Sequence, residues 1–152
     1  MSGIKSILLA EDDPRDQELT LTALNEYNLA NEVTVTNDGE EALDYLYRRG
    51  KYASRPEGNP AVIMLDLKMP KVDGIEVLRQ VRSDPVLKLL PVVFLTSSRE
   101  EGDLLRSYEL GVNAYVVKPV DFREFAVKVR QLGLFCAVVN EPPPGVVKRS
   151  RS

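Results

Sequence analysis

Val62-Ile63-Met64-Leu65 is a run of four apolar residues, and Asp66 ends it. A run this short, apolar throughout and closed by polar residues, predicts a strand buried on both faces. The pattern recurs at Ile7-Leu8-Leu9-Ala10, Val92-Val93-Phe94-Leu95 and Ala114-Tyr115-Val116-Val117. Val33-Thr34-Val35-Thr36 alternates instead, which places it nearer an edge. Helical patterns lie between the runs. Asp13-Pro14 reads as an N-cap with proline at the first helical position, opening a helix to about Leu29. Further helices are predicted from Glu40 to about Arg49, from Gly74 to about Arg82, and from Glu100 to Leu110, where Gly111 stops the helix. Asp121 caps the last, with Phe122, Phe125, Ala126, Val129 and Leu132 at helical spacing.

Strand and helix therefore alternate five times. That order implies an α/β fold: a doubly wound, five-stranded parallel sheet with helices on both faces. The chain has 152 residues, 43% of them hydrophobic and 28% charged, which suits one globular domain. Residues 1–140 are expected to form it. Glu141-Pro142-Pro143-Pro144-Gly145 should end the structure, leaving Val146 to Ser152 as a disordered basic tail. Gly50 to Pro60, with Pro56, Gly58 and Pro60, reads as a surface insertion too polar to pack.

Composition excludes several chemistries. Histidine is absent, which removes Ser-His-Asp and Cys-His nucleophilic machinery and His-ligated metals. Cys136 is the one cysteine, so no internal disulfide can form. The formal charge is −3, with +2 in residues 141–152 and −5 in the body, a poor balance for a nucleic-acid binder. No apolar run approaches the roughly 20 residues of a membrane helix. The expected location is the cytoplasm, with neither nucleic acid nor membrane as partner.

In open α/β sheets, ligands bind beyond the carboxyl ends of the strands. Glu11, Asp12 and Asp13 follow the first run, Asp66 the third, Thr96 and Ser97 the fourth, and Lys118 the fifth. If the strands are parallel, these groups converge on one edge. Clustered carboxylates repel, and at least one should have a raised pKa unless a cation intervenes. An all-oxygen set suits Mg²⁺. A carboxylate is then the plausible nucleophile for a phosphoryl group. Taken singly, Asp13 is a helix cap, Lys118 a loop residue and Thr96 or Ser98 a cap for the fourth helix. Their joint placement after the most buried strands favours a site.

The residues Glu11-Asp12-Asp13, Asp66-Leu67-Lys68-Met69-Pro70-x-x-Asp73-Gly74, Thr96-Ser97 and Lys118-Pro119 resemble the response-regulator receiver domain of two-component signalling, a flavodoxin-like fold. Thirty residues from Asp66 to Thr96 and twenty-two from Thr96 to Lys118 both fit that family. The long stretch before the third strand resembles the stand-alone regulators of cyanobacterial phytochrome kinases.

That resemblance implies that Asp66 is the phosphoacceptor, served by a sensor histidine kinase. It implies that Glu11 and Asp12 hold Mg²⁺, directly or through water, with Asp66 and the backbone carbonyl of Lys68. Lys118 would pair with Asp66 and then with a phosphoryl oxygen. Thr96 would supply the switching hydroxyl, Tyr115 the switch aromatic, and the Lys118-Pro119 bond would be cis. The expected protein is a signalling switch rather than an enzyme. A Mg²⁺-dependent aspartyl-phosphate phosphohydrolase is the alternative; it would want an acid where Lys68 stands. Leu134, Phe135, Cys136, Ala137, Val138 and Val139 extend beyond the inward stripe of the fifth helix and predict a homodimer built on that helix and its neighbours.

Overall fold

The computed structural model describes residues 4–25, 32–118, 122–136, 141–146 and 148–149. The five runs become strands: β2 (Ile7–Ala10), β3 (Val33–Thr36), β4 (Val62–Leu65), β5 (Val92–Thr96) and β6 (Ala114–Val117). They pair in parallel in the order β3-β2-β4-β5-β6. A two-residue strand, β1 (Ile4–Lys5), precedes them. The helices are α1 (Pro14–Asn25), α2 (Gly39–Tyr47), α3 (Gly74–Ser83), α4 (Glu101–Glu109) and α5 (Phe122–Leu134).

Alternation along the strands divides the core. Leu8, Ala10, Ile63, Leu65, Val92 and Phe94 face α2 and α3, whereas Ile7, Leu9, Val62, Met64, Val93 and Leu95 share a cluster with Ala23 and Leu24 of α1 and Val129 of α5. Both faces of β4 are sealed, which is why its sequence shows no polar alternation. Asp38 and Asp73 cap α2 and α3, accepting the backbone N–H of Glu41 at 2.7 Å and of Glu76 at 2.9 Å. Gly111, at φ 88°, ends the turn after α4, as its position predicts. Arg82 of α3 donates to the carbonyl oxygens of Leu90 and Gly111 and to Asn113 Oδ1, locking α3 to the turn before β6.

Three expectations change. The 50–60 stretch packs after all, through polar groups: Arg55 lies 4.2 Å over the Tyr45 ring and donates to the carbonyls of Tyr45, Pro56 and Gly58. The chain after the prolines is not a free tail throughout. Val146 bridges Asn59, and β7 (Lys148–Arg149) pairs antiparallel with β1. Cys136 does not project as surplus apolar surface; its side chain is buried in the α1/α5 face of the core, while Phe135 stays exposed. Residues 137–140, and the Lys118-Pro119 bond expected to be cis, lie outside the described residues.

Candidate functional site

Backbone hydrogen bonds carry the sheet one step past its strands. Asp66 N donates to Ala10 O at 2.9 Å, Glu11 N to Thr36 O at 3.0 Å, and Lys118 N to Thr96 O at 2.7 Å. These bonds fix the candidate residues at the carboxyl edge. Glu11 and Asp66 follow β2 and β4, the neighbours between which the strand order reverses. A crevice opens at such a point because the two connections leave on opposite faces.

The Lys118 ammonium lies among three acids there: 2.6 Å from Glu11 Oε1, 2.8 Å from Asp16 Oδ2 and 3.4 Å from Asp66 Oδ2. The sequence expectation paired Lys118 with Asp66; the closer partners are Glu11 and Asp16. Asp16 went unread. Its signal was the Asp13-Pro14 cap, which puts Asp16 in the first turn of α1 above the same edge. Glu11, Asp12 and Asp66 can each offer an oxygen within 4.8 Å of the others. Only hard oxygen donors are in that set, so it fits a divalent cation of the Mg²⁺ or Mn²⁺ kind. Asp12 is exposed and leaves one side open to an incoming ligand.

Burial pushes the Glu11 carboxyl from its ordinary 4.5 up to about 8, and the charge of Asp66 adds to this, against the opposing pull of Lys118. Burial also draws the Lys118 ammonium down, but hydrogen bonds to Asp16 and Glu11 outweigh it, and the net effect is upward. Because the folded state holds the Glu11 proton more tightly, that stabilisation is complete below about pH 4.5 and is lost as pH rises through about 8. The expected size is on the order of a few kcal/mol. In metal-free buffer the melting midpoint should fall more between about pH 6 and pH 9 than that of Glu11→Gln. Millimolar Mg²⁺ should shrink this gap, since a cation relieves the same repulsion. Equal falls in both proteins would defeat the assignment.

A second network adjoins the first. Thr96 is fully buried, and its Oγ1 accepts the backbone N–H of Ser98 at 3.2 Å. The Tyr115 hydroxyl donates to the Ser98 carbonyl at 3.1 Å, and its ring meets Phe94 edge-on at 6.1 Å. Ser98 Oγ donates to Asp103 Oδ2 at 2.7 Å. Asp103 also receives Arg106 at 2.9 Å and faces the Lys68 ammonium at 3.6 Å. The Ser98 hydroxyl, with Arg106 and Lys68, holds the Asp103 carboxyl below its ordinary range despite burial. Sequence reading passed over Asp103, because a charged residue in a helical first turn reads as solvated.

The family model of the response regulator receiver domain matches residues 7–130, most of the chain. This chain belongs to the response regulator receiver family. Response regulator Rcp1 of Synechocystis sp. is 38% identical over 131 residues, covering 86% of this chain and 88% of its own. The Mn²⁺-bound form of Rcp1 superposes with a TM-score of 0.83 at 37% identity, covering 91% of this chain and 99% of that one. The phosphorylated cyanobacterial phytochrome response regulator RcpA gives 0.84 at 38% identity over 92% of this chain and 99% of its own. The bacteriophytochrome response regulator RtBRR is 63% identical, with a TM-score of 0.74 over 93% of this chain and 86% of its own. The receiver fold and the likeness to phytochrome-associated regulators therefore stand as read from the sequence. Among the described residues, no helix is long and apolar enough to cross a membrane.

Proposed function

We propose that this receiver is a cytoplasmic switch that accepts a phosphoryl group on Asp66 from a phosphohistidine of a sensor histidine kinase of phytochrome type. The observation that carries this is Asp66 at the reversal of the sheet, 3.4 Å from the half-buried Lys118 ammonium and within reach of Glu11 and Asp12. Glu11, Asp12 and Asp66, with the Lys68 carbonyl, would hold Mg²⁺, whose charge offsets that of the phosphoryl oxygens when it is bound.

An Asp66 carboxylate oxygen attacks phosphorus; the donor P–N bond breaks, and its electron pair leaves on the imidazole nitrogen, which takes up a proton. Lys118 pairs with one phosphoryl oxygen. Thr96 turns its hydroxyl to another, which withdraws its acceptor from the Ser98 N–H and frees the loop that the Tyr115 hydroxyl holds. Tyr115 then repacks.

The output is contact with a partner or with a second copy. Val127 on α5 and Phe135 just beyond it stay exposed, which supports a homodimer through α5 and neighbouring surface. Light scattering that reports a monomer at high micromolar concentration, with and without phosphorylation, would overturn the dimer. The central test is incubation with acetyl phosphate and Mg²⁺ followed by intact mass. One added phosphoryl is expected on the wild type and none on Asp66→Asn. Phosphorylation of the Asn variant, or none of the wild type, removes the reading.

A further inference from the structure

Helix α4 packs against the body in an unusual way. Its buried residues are polar, Asp103 at 3% exposure and Ser107 at 0%, while Leu104, Leu105 and Tyr108 are 39%, 60% and 53% exposed. An amphipathic helix ordinarily buries its apolar stripe. Here the apolar side faces water, and the anchor is a buried carboxylate. Such an anchor needs its partners, because a buried charge without them is strongly unfavourable.

Two of those partners come from the loops that flank Asp66 and Thr96. Lys68 leaves the chain two residues after Asp66 and reaches Asp103 at 3.6 Å across a cleft of about 280 Å³ between the start of α3 and α4. Ser98, two residues after Thr96, donates to the same carboxylate oxygen at 2.7 Å. The third, Arg106, is on α4 itself and travels with it. Among the described residues, the contacts from the body to the Asp103 carboxylate thus start beside the phosphoryl site.

We propose that Asp103 is a positioning residue that holds α4 and the Lys68 ammonium in the unphosphorylated state, and that a phosphoryl group on Asp66 competes with it for that ammonium. The competition rests on the functional reading above. Once Lys68 turns to the phosphoryl oxygens and the Thr96 movement draws Ser98 away, Asp103 keeps only Arg106. Its burial is then unfavourable, so α4 loosens and can present or bury Leu104, Leu105 and Tyr108 in a new contact. The long stem of Lys68, whose side chain is 67% exposed, gives it room to exchange partners.

Hydrogen exchange of peptides covering Glu100 to Arg106 tests this, with intact mass read alongside. In the unphosphorylated protein, Lys68→Met should speed exchange about tenfold, as loss of an ion pair to a buried charge implies, and Lys68→Arg should keep it slow. Asp103→Asn should behave like Lys68→Met; if it fails to fold, Lys68→Met alone decides. Acetyl phosphate with Mg²⁺ should speed the wild type at least as much, because Ser98 leaves as well as Lys68, and should speed Lys68→Met by a smaller factor than the wild type. Unphosphorylated Lys68→Met exchanging as slowly as wild type overturns the proposal, and so does a fully phosphorylated wild type with unchanged exchange. A wild type that gains no mass removes the functional reading instead, and the unphosphorylated arm still judges the hold of Lys68 and Asp103 on α4.

Discussion

Lys118→Ala is expected to lower the unfolding free energy by about 3 kcal/mol at neutral pH, because it removes one partner from a buried charged cluster. The Lys118 side chain is 14% exposed, and Glu11, Asp16 and Asp66 all point at its ammonium. Without it three carboxyl groups face one another across a vacated space. Two facts set the figure at the low end of the range for buried pairs. Asp16 is partly open to water, and Glu11, already raised by burial and released from the downward pull of Lys118, can relieve the repulsion by taking up a proton. The loss should therefore grow as pH rises above about 8, where Glu11 of the wild type is ionised and that of the variant gives up its proton only at higher pH. Adding Glu11→Gln to the alanine variant should recover about 1–2 kcal/mol, since the two sites share the interaction. Urea unfolding of the four proteins measures all of this. A loss under about 1 kcal/mol would mean that solvent already screens the cluster. The same variant should accept phosphoryl slowly and lose the change in partner affinity or oligomer state that phosphorylation brings. A full response would remove Lys118 from the switch.

Gly74→Ala should be nearly as damaging, although alanine is ordinarily the better helix residue by about 0.5–1 kcal/mol. A Cβ at Gly74 would collide with the backbone carbonyl of Asp66 and press on the Phe94 ring, with the Leu67 Cα 3.0 Å away. These are backbone and core atoms, which cannot yield as a flexible side chain could. The expected cost is about 1–3 kcal/mol, and the strain falls on Asp66 itself. A displacement of about 1 Å at a reacting group can cost about a hundredfold in rate, so phosphorylation by acetyl phosphate should slow well beyond the loss of stability. Gly102→Ala is the matched control. Nothing lies within 4 Å of a Cβ there, and that change should stabilise by about 0.5–1 kcal/mol. If Gly74→Ala is as stable and as readily phosphorylated as Gly102→Ala, then the approach of α3 to the site has no consequence.

Much of this was legible from residues alone. Each strand is a local apolar run, and the starts of α2 and α3 are set locally too, where Asp38 and Asp73 accept the backbone N–H three residues on. Parallel strands place their carboxyl ends together, so Glu11, Asp12, Asp66, Thr96 and Lys118 were bound to share an edge once the alternation was read. The direction of the Glu11 shift matches what crowded carboxylates at that edge imply, although burial, which only packing shows, is its largest cause.

Other features came only with tertiary packing. Asp16 and Asp103 look like ordinary polar residues of a helical first turn, and only docking of α1 and α4 shows that one faces Lys118 and the other is sealed beneath α4. Gly74 reads as a weak helix residue until the approach of α3 to the Asp66 carbonyl explains it. The pairing of Lys148–Arg149 with Ile4–Lys5 joins residues more than 140 positions apart, and nothing in a seven-residue polar tail announces it. Periodicity and capping are set by interactions within a few residues, so the sequence determined the elements and their order. Which polar side chain meets which depends on the packing of whole helices against the sheet, where van der Waals contact over many residues fixes the geometry, and that only the tertiary structure decided.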